Sequence, residues 1–230
     1  MEVFQYECRL HKAAHFKITE QMEHEIKFYD RAYLLSLFTI IYNIIEGVVS
    51  VVLGYQDQTL TLLGFGIDSF IEVVSGIGIA VMILRIRMNP DSSINKFEIT
   101  ALKITGFAFY LLSAGLLAGV IINIINKHKP ETTLWGIVIS LVSIAVMTWL
   151  MLAKKKVGKQ LNSEPIISDS NCTKICVYMS VVLLVSSLIY ELTGFVYADA
   201  IGTLGLIYFS VSEGKEAFEK AKGKNYCCND

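Results

Sequence analysis

An apolar stretch over residues 59–85 contains two acidic residues near its centre, and this feature limits most strongly how the chain can fold. The stretch is long enough to cross a bilayer, which takes about 20 apolar residues in a helix. Asp68 and Glu72 lie four residues apart, so on a helix both carboxylates are on one face. A charge at the membrane centre costs about 2.5–3.5 kcal/mol on insertion scales. We therefore expect this pair to bind a cation.

Composition indicates an integral, multi-pass membrane protein. The chain has 230 residues, of which 53% are hydrophobic and 18% are charged, against about 25% charged residues in soluble domains. The fold class is predicted to be all-α, with six transmembrane helices, of which the fifth and sixth carry charged residues near their ends. The predicted crossings are 33–55, 59–85, 97–125, 133–153, 170–194 and 198–218.

The distribution of Lys and Arg predicts the orientation of these helices. Eighteen of the 20 such residues lie on one side of the predicted crossings, and Lys127 and Lys129 lie on the other. The positive-inside rule therefore predicts that both termini are cytosolic. The polar N-terminus predicts no cleavable signal peptide, and the net charge of −1 argues against nucleic acid as a partner. We predict a cytoplasmic N-terminal segment at 1–31, a transmembrane domain at 32–218 and a cytoplasmic tail at 219–230.

A second pair of candidate ligands lies in the fifth predicted helix. Cys172 and Cys176 are four residues apart and share a helical face, and Asp169 lies about one turn earlier on the same side. Thiolates suit soft or borderline ions such as Zn(II), Cu(I) and Cd(II). With Asp68 and Glu72 they make four ligands, as in a tetrahedral zinc site. Transporters hold their substrate near the middle of the membrane, which is where a site divided between these two helices would lie.

The first predicted helix carries a polar stripe with further candidates. Its hydroxyl side chains fit either helix packing or a functional stripe. Glu46 is a cation ligand, a proton carrier or the partner of a basic group, because a carboxylate in this position is expensive. We count Glu46, Asn43 and Asp169 as additional metal or proton candidates. The residues of the stripe, at steps of three and four, are Ser36, Thr39, Asn43, Glu46 and Ser50.

Weaker signals lie near the two ends of the chain and near the last two crossings. One group is Cys8, His11 and His15, and another is Cys227 with Cys228. Either group could collect metal in the cytosol, although ordinary solvated residues explain them better. Asp199 and Glu191 are expected to be interfacial caps or outward proton groups rather than ligands.

Three stretches together resemble the transmembrane domain of the cation diffusion facilitators, the cation efflux family. They are YNIIEGVVSVVLG, LLGFGIDSFIEVVSG and DSNCTKIC, and the resemblance covers about residues 30–220. It implies a cation-efflux-type bundle in which Asp68 and Glu72 take the metal positions of the second helix and Cys172 and Cys176 those of the fifth. It also implies proton antiport and a homodimer, here without the family's C-terminal cytoplasmic domain. The cysteines replace His and Asp, which allows a softer ion than zinc or manganese.

Three functions fit these residues. The favoured one is a secondary transporter, not an enzyme, that exports a divalent or soft metal cation from the cytosol in exchange for protons. Metal ligands must be deprotonated, so metal binding releases protons. The expected substrate is zinc, with Cd, Co, Cu or Mn as alternatives; the expected partners are protons and the lipid bilayer, and no bound cofactor is expected. The alternatives are a membrane thiol oxidoreductase that uses Cys172 and Cys176, and a non-transporting membrane scaffold.

Overall fold

The computed structural model describes residues 2–88, 96–126 and 133–222, and these ranges are helical apart from short turns. The all-α class predicted from the sequence is therefore confirmed within them. Each helix contains one of the predicted apolar segments. The helices are α1 (Glu2–Gln56), α2 (Leu60–Met88), α3 (Lys96–Asn126), α4 (Leu134–Gln160), α5 (Glu164–Thr193) and α6 (Ala198–Ala221).

Within the described residues, five helices contain segments that are long and apolar enough to cross a membrane. The sixth helix, α6, is not among them, because charged, hydroxyl and glycine residues run along it. Its position nevertheless agrees with the sixth predicted crossing, which carries charged residues near its ends and is therefore a less clear membrane span than the others. The five segments are Ile26–Gln56, Leu60–Arg85, Leu102–Ile125, Leu134–Gln160 and Asp169–Thr193.

Helix α4 extends farther than the sequence predicted. The predicted crossing ended at residue 153, but the helix continues to Gln160. The lysine-rich run 154–160 is therefore part of α4, and Lys154 is on its buried face. An ion pair inside the bundle, described below, is the reason that a lysine is tolerated there.

The bundle is polar inside and apolar outside, as a protein surrounded by lipid should be. Fully buried positions include the hydroxyl groups of Ser50, Ser140 and Ser180, whereas large apolar side chains such as Leu111 and Trp149 are exposed. Small polar residues let membrane helices approach each other and bond across the interface. The main hydrophobic core lies between α2, α3, α5 and α6. Its buried members are Leu62, Phe65, Ile71, Phe109, Leu112, Leu116, Met179, Leu183 and Leu206.

The helices pack chiefly in three pairs, α1 with α2, α4 with α5, and α3 with α6. Glycine allows the closest approach in the first pair, because a Cβ on Gly54 would lie 2.6 Å from the backbone nitrogen of Leu63. A Cβ on Gly66 would similarly lie 2.7 Å from the nitrogen of Val51. The short turn after Gly194, whose φ is 64°, joins α5 to α6 as predicted, although each packs more extensively on another helix.

Two acidic residues cap neighbouring helices at one end of the bundle, which we call the capped end. Asp199 of α6 accepts hydrogen bonds from the backbone nitrogens of Leu60 (3.0 Å) and Thr61 (3.1 Å), at the start of α2. Glu191 of α5 accepts one from the nitrogen of Thr133 (2.5 Å), at the start of α4. Both acids therefore act as caps, as expected, and each caps a helix other than its own. Because α2 starts where α5 finishes, these two helices run in opposite directions.

Candidate functional site

A polar pocket lies inside the bundle, in the half that is remote from the capped end, and all six helices contribute to its walls. Its volume is about 50 Å³, which is more than the roughly 10–15 Å³ that one water molecule needs, so the pocket has room for an ion together with water. The charged and thiol residues that line it are Glu72, Lys154, Asp169, Cys172, Cys176, Glu213, Glu216 and Lys220.

Two of the predicted ligands meet in this pocket. The thiol of Cys176 on α5 contacts Oε1 of Glu72 on α2. The other carboxylate oxygen of Glu72 accepts a hydrogen bond from Nδ2 of Asn43 on α1, at 2.9 Å. Three helices therefore hold one carboxylate and one thiol together inside the membrane domain, and both groups are of kinds that bind zinc-like ions.

The other two predicted ligands lie on opposite sides of that contact. Since α2 and α5 are antiparallel, pairing Glu72 with Cys176 puts Asp68 one turn toward the capped end and Cys172 one turn away from it. Asp68 is buried, does not line the pocket, and its Oδ1 has no hydrogen-bond partner among the described residues. Within the described ranges, no three His, Cys, Asp or Glu side chains are close enough together to hold a metal ion. The structure therefore does not bring all four residues to one point.

Two further candidates from α1 have distinct surroundings. Glu46 is 7% exposed and does not line the pocket; its carboxylate accepts hydrogen bonds from the Tyr42 hydroxyl (2.9 Å) and the Ser69 hydroxyl (3.2 Å). Of the three roles considered for Glu46, pairing with a basic group is not seen within the described ranges. Asn43 lines the pocket and is completely buried, with its Oδ1 lacking a partner among the described residues.

Two hydroxyl groups of the α1 stripe donate hydrogen bonds to backbone carbonyls of α1 itself. Ser36 donates to the carbonyl of Ala32 at 3.1 Å, and Thr39 donates to the carbonyl of Leu35 at 2.8 Å. Such bonds satisfy a hydroxyl inside a membrane helix without a ligand. Ser36 therefore favours the packing interpretation, whereas Thr39 also lines the pocket.

A buried ion pair joins α4 to α5 at the wall of the pocket. Nζ of Lys154 lies 3.0 Å from Oδ2 of Asp169 and donates a hydrogen bond to Oγ1 of Thr173 at 3.2 Å. The two charged side chains are only 3% and 11% exposed. Asp169, a candidate for metal or protons in the sequence, thus has a fixed cationic partner in this structure.

Lys154 was missed as a pocket residue, although the sequence carries a signal for it. The lysine was counted only as a positive charge at the cytosolic side. It nevertheless continues a pattern of small and apolar residues at steps of three and four that defines the inward face of α4. The members of this pattern are Gly136, Ser140, Ser143, Met147, Leu150 and Lys154.

A second missed lysine reaches the pocket from α6. Nζ of Lys220 lies 2.8 Å from Oε1 of Glu216 and donates a hydrogen bond to Sγ of Cys172 at 3.0 Å. Glu213, one turn earlier on α6, also lines the pocket. The predicted cytoplasmic tail begins at residue 219, whereas α6 continues to Ala221. Lys220 is therefore on the last turn of this helix, where its side chain contacts Cys172 of α5. The side chains of Cys8, His11, His15, Cys227 and Cys228 lie outside the described residues.

Comparison with known proteins agrees with the motifs. The family described as the cation efflux transmembrane domain matches residues 27–221, which include part or all of each helix and every candidate ligand in the pocket. A protein of Methanocaldococcus jannaschii, named an uncharacterized transporter, is 26% identical over 170 residues, which are 72% of this chain and 59% of that protein. The chain thus spans less than two thirds of this relative's length. Because the family match covers most of the chain and its apolar helices, this multi-pass membrane protein belongs to the cation efflux family.

Proposed function

We propose that this protein is a secondary transporter that exports a divalent or soft metal cation from the cytosol in exchange for protons. Its membership of the cation efflux family supports transport of a metal cation rather than an enzymatic reaction. The observation that carries the proposal is the contact between Glu72 and Cys176 across α2 and α5. A carboxylate and a thiol held together inside an apolar bundle make half of a tetrahedral site for zinc or a softer ion.

Asp68 and Cys172 complete the proposed site when the metal arrives. Each lies four residues, about 6 Å along the helix axis, from its partner on the same helix, so α5 must shift along α2 by about one helical turn to bring the two pairs level. Buried polar atoms without a partner are rare in native proteins. In the part of the chain that the structure describes, Oδ1 of Asp68 and Oδ1 of Asn43 have no partner, which supports a ligand that binds between them and α5.

The two halves of the bundle differ in a way that supports entry from the cytosol. The polar pocket lies in the half where the lysines are concentrated, which the positive-inside rule assigns to the cytosol. Toward the capped end, the path beyond Glu72 is filled by tightly packed side chains of the core, including Leu62, Leu183 and Leu206. We assign this arrangement to the state that receives metal from the cytosol, with both termini on that side. Release to the other side requires the core near the capped end to open.

Proton exchange follows from the chemistry of the ligands. Carboxylates and thiols bind metal in their deprotonated forms, so binding expels protons and reprotonation expels the metal. Glu46 has hydroxyl partners and lies outside the pocket, which suits a proton carrier better than a metal ligand. We propose zinc as the substrate, with Cd, Co, Cu or Mn as alternatives, and we extend the family resemblance to a homodimer.

A transport assay tests the proposal. Purified protein in liposomes should move Zn²⁺ against its gradient when a proton gradient is imposed. Glu72→Gln should lower this flux about tenfold or more, because it removes a charged ligand from a site of four. Glu219→Gln on α6, outside the pocket, is the matched control and should transport like the parent. Equal fluxes for Glu72→Gln and the parent would show that the site is wrong.

The two alternatives are less well supported. A dithiol oxidoreductase needs its two sulfurs to bond to each other, but Cys172 lies against Lys220 and Cys176 against Glu72. A scaffold whose acids only hold helices in register does not explain why the buried Oδ1 of Asp68 lacks a partner among the residues that the structure describes. Both alternatives predict that zinc leaves the melting temperature of the protein unchanged, whereas a metal site of a transporter predicts that zinc raises it.

A further inference from the structure

Lys220 puts an ammonium group directly on one of the proposed metal ligands. Its Nζ lies 3.0 Å from Sγ of Cys172 on α5 and 2.8 Å from Oε1 of Glu216 on its own helix. The side chain is 20% exposed, so it is held within the wall of the pocket. A lysine in the path of a cation is unexpected, because it repels the ion that the path carries.

The ammonium and a metal ion would compete for the sulfur of Cys172. Zinc binds a thiolate sulfur at about 2.3 Å, and Nζ is 3.0 Å from the same sulfur, so the two cations would be at most about 5.3 Å apart. At that distance like charges in a poorly solvated pocket repel strongly. Metal binding at Cys172 is therefore more favourable when Lys220 moves away from the sulfur.

Glu216 offers Lys220 a place to go. The two residues are four apart on α6 and already form an ion pair, so the flexible lysine stem can leave the sulfur without losing its carboxylate partner. Glu213, one turn earlier, adds a second acid to the same stretch of the pocket. The arrangement thus lets the ammonium move from the sulfur toward the two acids while it stays paired with Glu216.

We propose that Lys220 is a resident counter-cation of the transport site. It contacts Cys172 while the site is empty and, when a metal ion binds, leaves the sulfur while staying paired with Glu216. In this role Lys220 competes with the metal for Cys172, and this competition keeps the metal affinity low enough for release. When the empty transporter returns to the cytosolic side, Lys220 supplies a positive charge to the site. The inference rests on the proposed function, because it assumes that Cys172 is a metal ligand.

Cobalt binding to the purified protein tests the inference, since Co²⁺ bound to thiolates gives a characteristic charge-transfer absorption. Lys220→Met should bind Co²⁺ about tenfold more tightly than the parent, because a repelling charge is removed next to the metal. Lys215→Met, at an exposed position on the same helix, should bind like the parent. Lys220→Arg keeps the positive charge and should restore the weaker affinity of the parent.

The outcomes separate this inference from the proposed function. If the parent shows the thiolate absorption and Lys220→Met binds Co²⁺ no more tightly, the counter-cation role is wrong and the transport site stands. If no protein in the series shows the thiolate absorption, the site itself is wrong and the inference fails with it.

A second measurement uses only the parent protein and so does not depend on the folding of variants. Reductive methylation of lysines, followed by mass spectrometry, reports how accessible each amine is. Adding Zn²⁺ should speed the methylation of Lys220, because the ammonium leaves the sulfur, and should leave exposed Lys215 unchanged. An unchanged or slower reaction at Lys220 in zinc-saturated protein would overturn the proposal.

Discussion

Replacing Lys154 by Met should destabilise the protein more than any other single lysine substitution on α4. The change removes the cation from a pair whose side chains are only 3% and 11% exposed and leaves the Asp169 carboxylate buried. Removing one member of a buried ion pair costs about 3–5 kcal/mol, and the partial exposure of Asp169 places the expected loss near the lower value, about 3 kcal/mol. At 2–4 °C per kcal/mol for a chain of this size, the melting temperature should fall by about 6–12 °C.

Thermal unfolding of detergent-solubilised protein checks this value. Lys155→Met is the matched control, since its side chain is exposed on the next position of the same helix and its loss should cost less than about 0.5 kcal/mol. Combining Lys154→Met with Asp169→Leu should recover most of the stability, because no charge then remains buried. If Lys154→Met melts within 2 °C of Lys155→Met, a difference below about 1 kcal/mol, the ion pair does not contribute as argued.

Three further predictions follow from other contacts. Asp199→Ala should cost about 2 kcal/mol in thermal unfolding, because it leaves the backbone nitrogens of Leu60 and Thr61 without their cap; an unchanged melting temperature would contradict this. Gly54→Ala should cost about 1–3 kcal/mol, since the added Cβ would meet the backbone of α2 at 2.6 Å; a stability equal to that of the parent would show that the helices separate easily. Cys176→Asp should lower Cd²⁺ flux relative to Mn²⁺ flux by about tenfold, because the thiol is the softer ligand; an unchanged ratio would show that the sulfur of Cys176 does not bind the metal.

Much of the fold could be predicted from the sequence, because the membrane imposes a simple rule on apolar length. Each predicted segment falls on one helix, with an overrun of one residue at most, and the turns after Gln56 and Gly194 fall between predicted crossings. Spacing of four residues put Glu72 on the same face as Asp68 and Cys176 on the same face as Cys172, and Glu72 and Cys176 both line the pocket.

The pairing of side chains between helices could not be predicted in the same way. Spacing along a helix says which residues share a face, but the relative height of two antiparallel helices decides which acid meets which thiol. Here Glu72 meets Cys176, while Cys172 is one turn farther on and meets Lys220 instead. The roles of Lys154 and Lys220 were missed for a related reason, since the positive-inside rule treats every lysine near a helix end as solvated.

The central claim is that carboxylates of α2 and thiols of α5 bind the same metal ion. X-ray absorption spectroscopy at the zinc edge, on zinc-loaded protein, measures the ligands directly. We expect two sulfur ligands at about 2.3 Å and two oxygen ligands at about 2.0–2.2 Å, from Cys172, Cys176, Asp68 and Glu72. A first shell that contains no sulfur, or one that contains sulfur without carboxylate oxygen, would contradict the account.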